Sequence, residues 1–268
     1  MTTQTIPQQD LPSINALWIG EKLNAMSIAC LTSFVKQGHP VNLYTYGEIS
    51  NIPQGVHAID GRTILDESKI IKHQKSGSFA LFSDIFRYAL LSKIENGIYV
   101  DCDVYCLKPL TIPEHGYLLG YENASYINGA VLALPADSDM LNTLIDLSNQ
   151  PYFTPEWYSG YDKMRLKIKR LFGYANTLST MGWGVIGPSA ITHYAKKLNI
   201  THLVQPVDVL YPIQHHETHK LLDADLSIDD VITENSVCVH LYNETMRHVD
   251  LTTIDPNCIL AKMLRNEI

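Results

Sequence analysis

The sequence predicts an α/β protein with parallel strands and an inserted helical part. Short apolar runs rich in β-branched and aromatic residues alternate with segments whose apolar residues recur at helical spacing. The first strand, helix and strand follow one another within about 30 residues, as in a right-handed βαβ unit. A hydrophobic content of 46% in 268 residues is enough for a sizeable core, so we predict one domain over 1–268.

The first part of the chain predicts the βαβ unit and a long amphipathic helix. Residues 1–12 are polar, and we expect a flexible tail there. Gly38 and Asn96-Gly97 are typical helix stop signals. The predicted elements are a strand at 14–20, a helix at 21–37, strands at 41–46 and 56–60, a helical segment at 64–71 and a helix at 78–95.

The second part contains strand patterns, two further helices and the insertion. Asp137 is the predicted N-cap of the first of these helices. The segment 151–180 is aromatic, polar and basic, and we interpret it as a helical insertion. The predicted elements are strands at 97–104, 117–122 and 126–134, a helix at 137–147, a helix at 189–197, a strand at 202–209, a polar loop at 214–222 and a strand at 237–242.

Two aspartates, Asp101 and Asp103, stand at the end of the apolar run that starts at Gly97. Residues i and i+2 of a strand point to the same side, so we expect the two carboxylates to project together. Carboxylates that close repel each other unless protons or a hard divalent cation lie between them. A D-x-D pair is common and is also typical of a solvated turn, so the pair alone leaves both interpretations open.

Three other candidates lie at predicted element ends or faces. Asp84 and Arg87 are three apart on the long helix, beside its apolar stripe, where they form either an ion pair or a site for sugar hydroxyls and phosphate. Trp18 ends the first strand, where an aromatic ring is either core packing or a platform for a nucleobase. His240 ends the last strand and is either structural or a third ligand acceptable to Mn²⁺.

Composition excludes several classes of protein. A net charge of −8 argues against a broad nucleic-acid surface. Five scattered cysteines do not form a disulfide framework, and we expect reduced thiols in the cytoplasm. We expect no signal peptide and no membrane-spanning run. Basic spots at 35–36, 163–170 and 196–197 form no long polybasic run, and contact with a membrane surface stays open. His215 and His219 have the zinc-protease spacing, but Glu217 does not directly follow the first histidine, so that motif is not met. No P-loop or dinucleotide fingerprint is present.

Two neighbouring stretches carry a family resemblance. The pattern S-D-x-x-R-Y-x-x-L at 83–91, followed by G-x-Y-x-D-x-D at 97–103, resembles the signature of the DXD-containing sugar transferases. These are bacterial capsule and lipopolysaccharide glycosyltransferases related to yeast mannosyltransferases and to the catalytic domains of large clostridial glucosylating toxins. Weaker landmarks are residues 18–20, 187–188 and 239–243. The family often has Gly-Gly where this chain has Asn96-Gly97, and Asn also tolerates the left-handed conformation.

The resemblance implies a GT-A fold, which is a Rossmann-like mixed sheet flanked by helices, and a retaining transfer from a nucleotide sugar. By this likeness Asp101 and Asp103 would bind Mn²⁺ or Mg²⁺, and His240 and Asn243 would complete the metal and diphosphate site. Asp84 and Arg87 would hold the donor sugar, with Asp101 as the third catalytic residue. Trp18 would stack on uracil, and Asn128 is a further candidate for donor binding.

The function implied is the transfer of a hexose or N-acetylhexosamine from a UDP-sugar to a glycan or lipid-linked oligosaccharide in bacterial surface polysaccharide synthesis. It would take place in the cytoplasm, at or near the inner face of the membrane. Three alternatives stay open: a toxin-like effector that glycosylates a host protein, a non-catalytic nucleotide- or metal-binding module, and a metal-dependent phosphohydrolase. The sequence indicates neither the donor sugar nor the oligomeric state.

Overall fold

A six-stranded mixed sheet forms the centre of the protein, with the strand order β3-β2-β1-β4-β7-β6. The computed structural model describes residues 11–150, 152–174 and 177–268. β1 pairs in parallel with β2 and β4, β2 pairs in parallel with β3, and β7 is antiparallel to β4 and β6. The strands are β1 (Ser13–Trp18), β2 (Val41–Thr45), β3 (Val56–Asp60), β4 (Gly97–Val100), β6 (Leu118–Asn123) and β7 (Tyr126–Ala133). The predicted α/β class is confirmed.

The turn after β4 leads into a separate two-stranded ribbon. It consists of β5 (Val104–Cys106) and β8 (Cys238–His240), which run antiparallel with Val104 opposite His240. The backbone N–H of Leu241 also donates to the Asp103 carbonyl, at 2.8 Å. The ribbon therefore brings the end of the chain beside the two aspartates.

Both faces of the sheet are buried. One face packs against α1 through residues such as Leu31 and Phe34, and the other packs against α2, α3 and α5 through residues such as Phe86 and Leu144. The helices are α1 (Ala25–Lys36), α2 (Ala80–Leu91), α3 (Asp139–Ser148), α4 (Gly160–Leu171), α5 (Pro188–Lys197), α6 (Val207–Leu210), α7 (Asn243–Met246) and α8 (Ile259–Leu264). Burial on both faces explains why β4 is wholly apolar and why β7 has one polar residue, Asn128.

Local signals set the helix ends. The Asn24 side chain accepts from Ser27 N–H and starts α1 later than predicted, and Gly38 follows the helix with a φ of +88°. α2 is followed by Asn96 with a φ of +44°, as its stop signal predicts. Ser138, and not the predicted Asp137, caps α3 by accepting from Leu141 N–H.

The strand predicted at 202–209 is wrong. Gln205 alone makes ladder-type bonds there, with the backbones of Leu119 and Tyr121. Pro206 has no N–H to extend the ladder, and the chain turns into the short helix α6.

Two further predictions needed revision. The segment 64–71 forms only a 3₁₀ turn at Glu67–Lys69, because the Asp66 side chain binds Ser68 N–H in place of a longer helix. The predicted polar loop 214–222 is a 3₁₀ helix (His215–Leu222) with Leu221 buried. The insertion 151–180 contains α4, but residues 151, 175 and 176 lie outside the described ranges, as do residues 1–10 of the predicted tail. The assignment of 1–268 to one domain stays a prediction.

Candidate functional site

The two aspartates lie on a reverse turn between β4 and β5. The turn is closed by a bond from Val104 N–H to the Asp101 carbonyl, at 3.1 Å. Asp101 N–H donates to the Ala130 carbonyl of β7, which ties the turn to the sheet edge. The carboxylates converge as predicted, although a turn and not strand alternation brings them together.

His240 joins the two aspartates. One ligand atom from each of Asp101, Asp103 and His240 lies within 4.8 Å of the others. His240 Nε2 is 3.3 Å from Asp103 Oδ1, and its ring stacks on Tyr242 with the centroids 4.0 Å apart. His240 Nδ1 is buried and has no hydrogen-bond partner within the described ranges. The residues thus form a compact set of two carboxylates and an imidazole.

The two carboxylates have opposite pKa shifts. Burial raises the pKa of Asp101, Arg87 opposes the shift, and the nearby negative Asp103 adds to it. Burial acts in the same direction on Asp103, but the charge and hydrogen bond of His240 and the Asn243 N–H hold its pKa below the usual value. Burial lowers the pKa of His240, but the charge and hydrogen bond of Asp103, together with the charges of Asp101 and Glu122, raise it overall. The group is short of positive charge, which a divalent cation would supply.

Arg87 connects the long helix to this turn. Its guanidinium donates to Asp101 Oδ1 at 3.1 Å and lies 3.4 Å from Asp84 Oδ1. The guanidinium also donates to the backbone carbonyl and the side-chain hydroxyl of Ser83, and to the backbone carbonyl of Gly129. Each of the three guanidinium nitrogens therefore has an acceptor inside the chain, and the side chain is only 5% exposed.

Asp84 is buried in a tightly packed position at the edge of the cleft. Burial raises the pKa of Asp84 to about 7, with Arg87 opposing the shift and Asp101 adding to it. A Cβ on Gly187, at the start of α5, would lie 2.5 Å from Asp84 Oδ2, so the carboxyl group fills the space that a side chain would need. The sequence landmark at 187–188 thus has a steric role beside Asp84.

Tyr99 and Ser83 support Asp101. The Tyr99 hydroxyl donates to Asp101 Oδ1 at 2.8 Å and is 2.6 Å from the Ser83 hydroxyl. The Arg87 guanidinium lies over the Tyr99 ring, 4.6 Å from its centroid. Both residues belong to the quoted sequence pattern, but no role was predicted for either of them.

A second set of hydrogen bonds lies on the other side of His240. The Tyr242 hydroxyl donates to Glu122 Oε1 at 3.2 Å, and the Asn128 amide donates to Glu122 Oε2 at 3.2 Å. Tyr242 has a left-handed φ of 49°, which directs Asn243 N–H to Asp103 Oδ2, at 2.8 Å. Asn128 lies inside β7. Glu122 was missed because no motif marks it.

These residues line a cleft of about 1010 Å³ at the carboxyl ends of β1 and β4. Trp18 is partly exposed there, and its Nε1 is buried without a hydrogen-bond partner in the described ranges. The other two tryptophans differ in their surroundings. Trp157 packs against Phe153 and Tyr194, whereas Trp183 is 65% exposed at the cleft. The cleft brings together every candidate chosen from the sequence: Trp18, Asp84, Arg87, Asp101, Asp103, Asn128, His240 and Asn243.

The donor set fits a divalent cation. Asp101, Asp103 and His240 offer two carboxylate oxygens and one imidazole nitrogen, which suits Mn²⁺ and is compatible with Mg²⁺. The five cysteines are buried free thiols and lie outside this group.

Comparisons with known proteins address the family and the fold. Residues 27–120 match the family described as a glycosyltransferase sugar-binding region containing a DXD motif. This range includes Asp84, Arg87, Asp101 and Asp103. No curated protein sequence matches the chain.

Among solved structures, the chain is similar to the UDP-bound glycosyltransferase domain from the YGT toxin, with a TM-score of 0.53 at 10% identity over 78% of this chain and 82% of that domain. The ligand-free form of that domain is similar at a TM-score of 0.53 and 10% identity, over 97% of this chain and 94% of that domain. At this identity the likeness concerns the fold, and it confirms the GT-A prediction. The chain therefore carries the sugar-binding region of the DXD-containing glycosyltransferases on a GT-A fold, which confirms the resemblance inferred from its sequence.

Proposed function

We propose that this protein is a metal-dependent, retaining glycosyltransferase that moves a hexose or N-acetylhexosamine from a UDP-sugar to a glycan or lipid-linked oligosaccharide. The convergence of Asp101, Asp103 and His240 in one cleft with Asp84 and Arg87 carries this proposal. UDP is the proposed nucleotide because the similar toxin domain binds it.

Asp101, Asp103 and His240 are the residues that would hold Mn²⁺ or Mg²⁺. Such a cation supplies charge neutralisation for a departing diphosphate. Asn243 N–H and the imidazole of His240 hold Asp103 in place for this task.

Asp84 and Arg87 have different proposed roles. Asp84 is a buried acceptor at the cleft and suits the hydroxyls of a donor sugar. Because the guanidinium nitrogens of Arg87 already donate within the chain, its contacts favour a positioning role that orients Asp84 and Asp101. Trp18, at the end of β1, provides an aromatic surface for uracil.

Retention of configuration is proposed for two reasons: the family likeness, and the hydrogen bonds that the carboxylates in the cleft already accept. Asp101 accepts from Arg87 and Tyr99, and Glu122 accepts from Tyr242 and Asn128. A carboxylate engaged in this way is a weak covalent nucleophile. We therefore propose same-face attack on an oxocarbenium-like sugar, with the leaving phosphate accepting the proton of the acceptor hydroxyl.

Surface polysaccharide synthesis in the cytoplasm is the proposed setting. The described residues include no helix long and apolar enough to cross a membrane. Glycosylation of a protein is the second candidate, because the similar domain comes from a toxin. Transfer of label to a protein acceptor in preference to oligosaccharides would favour that candidate.

The test is transfer or hydrolysis of a panel of UDP-sugars with Mn²⁺, followed by NMR of the anomeric proton of the first product. We expect one donor to be consumed, the product to keep the donor's anomeric configuration, and EDTA to stop the reaction. Inversion would contradict the retaining mechanism and would make Glu122 the first candidate for a general base. Consumption of none of the donors would contradict the transferase function itself.

A further inference from the structure

Helix α4 and the residues around it expose an unusual amount of apolar surface. Every large hydrophobic side chain that is exposed within the described ranges lies between Tyr152 and Trp183. None of the residues of α4 is buried. A contiguous apolar surface of this kind is typical of an interaction site.

The exposed apolar residues share one side of the helix. Tyr161, Met164, Ile168 and Leu171 follow the spacing i, i+3, i+7, i+10, which places them within an arc of about 100°. They are 78%, 59%, 45% and 84% exposed, respectively. Leu166, on the opposite side, is partly buried against the main core. The apolar side of α4 therefore faces away from the protein.

Positive charges flank this apolar side. α4 contains five Lys or Arg residues and one Asp, in a chain whose net charge is −8. At 100° per residue, Lys167 lies along one edge of the apolar arc and Arg165 and Lys169 lie along the other. Long basic side chains at the edges of an apolar helix face can reach anionic headgroups while the apolar residues enter the acyl boundary.

We propose that α4 is an interfacial helix that docks the protein on an anionic lipid bilayer. The charge pattern argues against a second copy of the chain, because a two-fold contact through this side would bring two cationic rims together. The proposal concerns a surface outside the candidate active site and does not depend on the transferase activity.

The helix is tied to one wall of the cleft. Tyr158, just before α4, makes a hydrogen bond with the backbone of Gly182, and the adjacent Trp183 lines the cleft. Docking through α4 would thus hold this wall near the membrane, as a lipid-linked acceptor of the proposed function would require.

The test is sedimentation of the full chain with vesicles of phosphatidylcholine, with and without phosphatidylglycerol. Three proteins are compared with wild type. The first combines Leu171→Glu with Phe172→Glu, because Phe172 directly follows α4 and is 77% exposed. The second combines Lys167→Glu with Lys169→Glu, and the control combines Lys22→Glu with Lys69→Glu. The control makes the same change of charge as the Lys167 and Lys169 variant, but at exposed lysines outside α4. Circular dichroism and thermal unfolding establish that each protein is folded.

We expect wild type and the control to bind the anionic vesicles, and each α4 variant to bind at least about tenfold more weakly. Raising NaCl from about 0.1 M to about 0.5 M should weaken wild-type binding. Failure of folded wild type to bind anionic vesicles would overturn the proposal and would leave an acidic protein as the occupant of this surface. Equal binding by the α4 variants, or an equal loss in the control, would also overturn it.

Discussion

At the scale of single residues, the site depends on side chains that hold the aspartates in place. Asp101 accepts from both Arg87 and Tyr99, while Asp103 accepts from Asn243 N–H and lies beside His240. Such bonds reduce the freedom of each carboxylate before any ligand arrives. Tyr99 shows this most simply, because its hydroxyl is the one group it contributes to Asp101.

Tyr99→Phe should lower activity more than stability. The change keeps the ring under Arg87 but removes the 2.8 Å bond to Asp101, which is worth about 1 to 3 kcal/mol for a charged acceptor. We expect kcat/KM for sugar transfer to fall about tenfold or more and the KM for Mn²⁺ to rise, as measured by steady-state kinetics. Unchanged kinetics in a variant with normal thermal stability would contradict a positioning role for Tyr99.

At the scale of elements, the turn after β4 and the β5–β8 ribbon bring residues 101, 103 and 240 together. The prediction that the two carboxylates converge is confirmed. Its reason was wrong, because the aspartates lie on a turn and not on a strand, where residues i and i+2 point to the same side. The sequence could not show that His240 lies beside Asp103, because that contact depends on the pairing of strands far apart in the chain. The bond between Tyr242 and Glu122 could likewise not be predicted, since it joins residues far apart in the chain.

The substitution Gly187→Ala tests the packing of the start of α5 against Asp84 of α2. The new Cβ would lie 2.5 Å from Asp84 Oδ2, so the carboxyl group must move away from its position beside Arg87. We expect at least a tenfold loss of kcat/KM and a stability cost of about 1 to 3 kcal/mol. In the control Gly47→Ala, the added Cβ has no atom within 4 Å, so activity should stay at the wild-type level. Equal activity in the two variants would show that the position of Asp84 is not critical.

At the scale of the whole molecule, hydrophobic periodicity was sufficient to predict the core of the fold. The four parallel strands and the helices α1, α2 and α5 arise from apolar patterns that tertiary packing reinforces. The wrong strand at 202–209 and the missed 3₁₀ helix at 215–222 lie in short segments, where Pro206 or local side-chain bonds outweigh the hydrophobic pattern. The site residues that belong to the quoted sequence pattern could be predicted. The residues that hydrogen-bond to them could be identified only once the fold was known.

Asp84 should make the stability of the whole protein depend on pH. Its pKa is raised to about 7 in the folded protein, whereas in the unfolded chain it ionises near the ordinary value of 3.8. Between these values the unfolded chain releases a proton that the folded state retains, so this group lowers stability as pH rises and has no further effect above pH 7. Asp84→Asn removes that contribution.

The measurement is urea unfolding of wild type and Asp84→Asn in EDTA at about pH 5 and pH 8. The stability of the variant relative to wild type should increase over this range by about 1 to 4 kcal/mol. The same variant should lose sugar transfer at pH 8, where Asp84 is mostly ionised, because the neutral amide is a poorer acceptor for donor hydroxyls than a carboxylate. Identical pH dependence in the two proteins would contradict a buried Asp84 with a raised pKa.

Calorimetric titration of UDP tests the central claim most directly, because it examines nucleotide binding at the aspartate pair without any assumption about the acceptor. Wild type, Asp103→Ala and the exposed control Asp225→Ala are titrated in Mn²⁺ and again in EDTA. The site predicts metal-dependent binding by wild type and the control, and at least a tenfold loss in Asp103→Ala. Binding that is equal in EDTA, or equal in the folded Asp103→Ala variant, would contradict a metal-assisted nucleotide-sugar site at Asp101, Asp103 and His240.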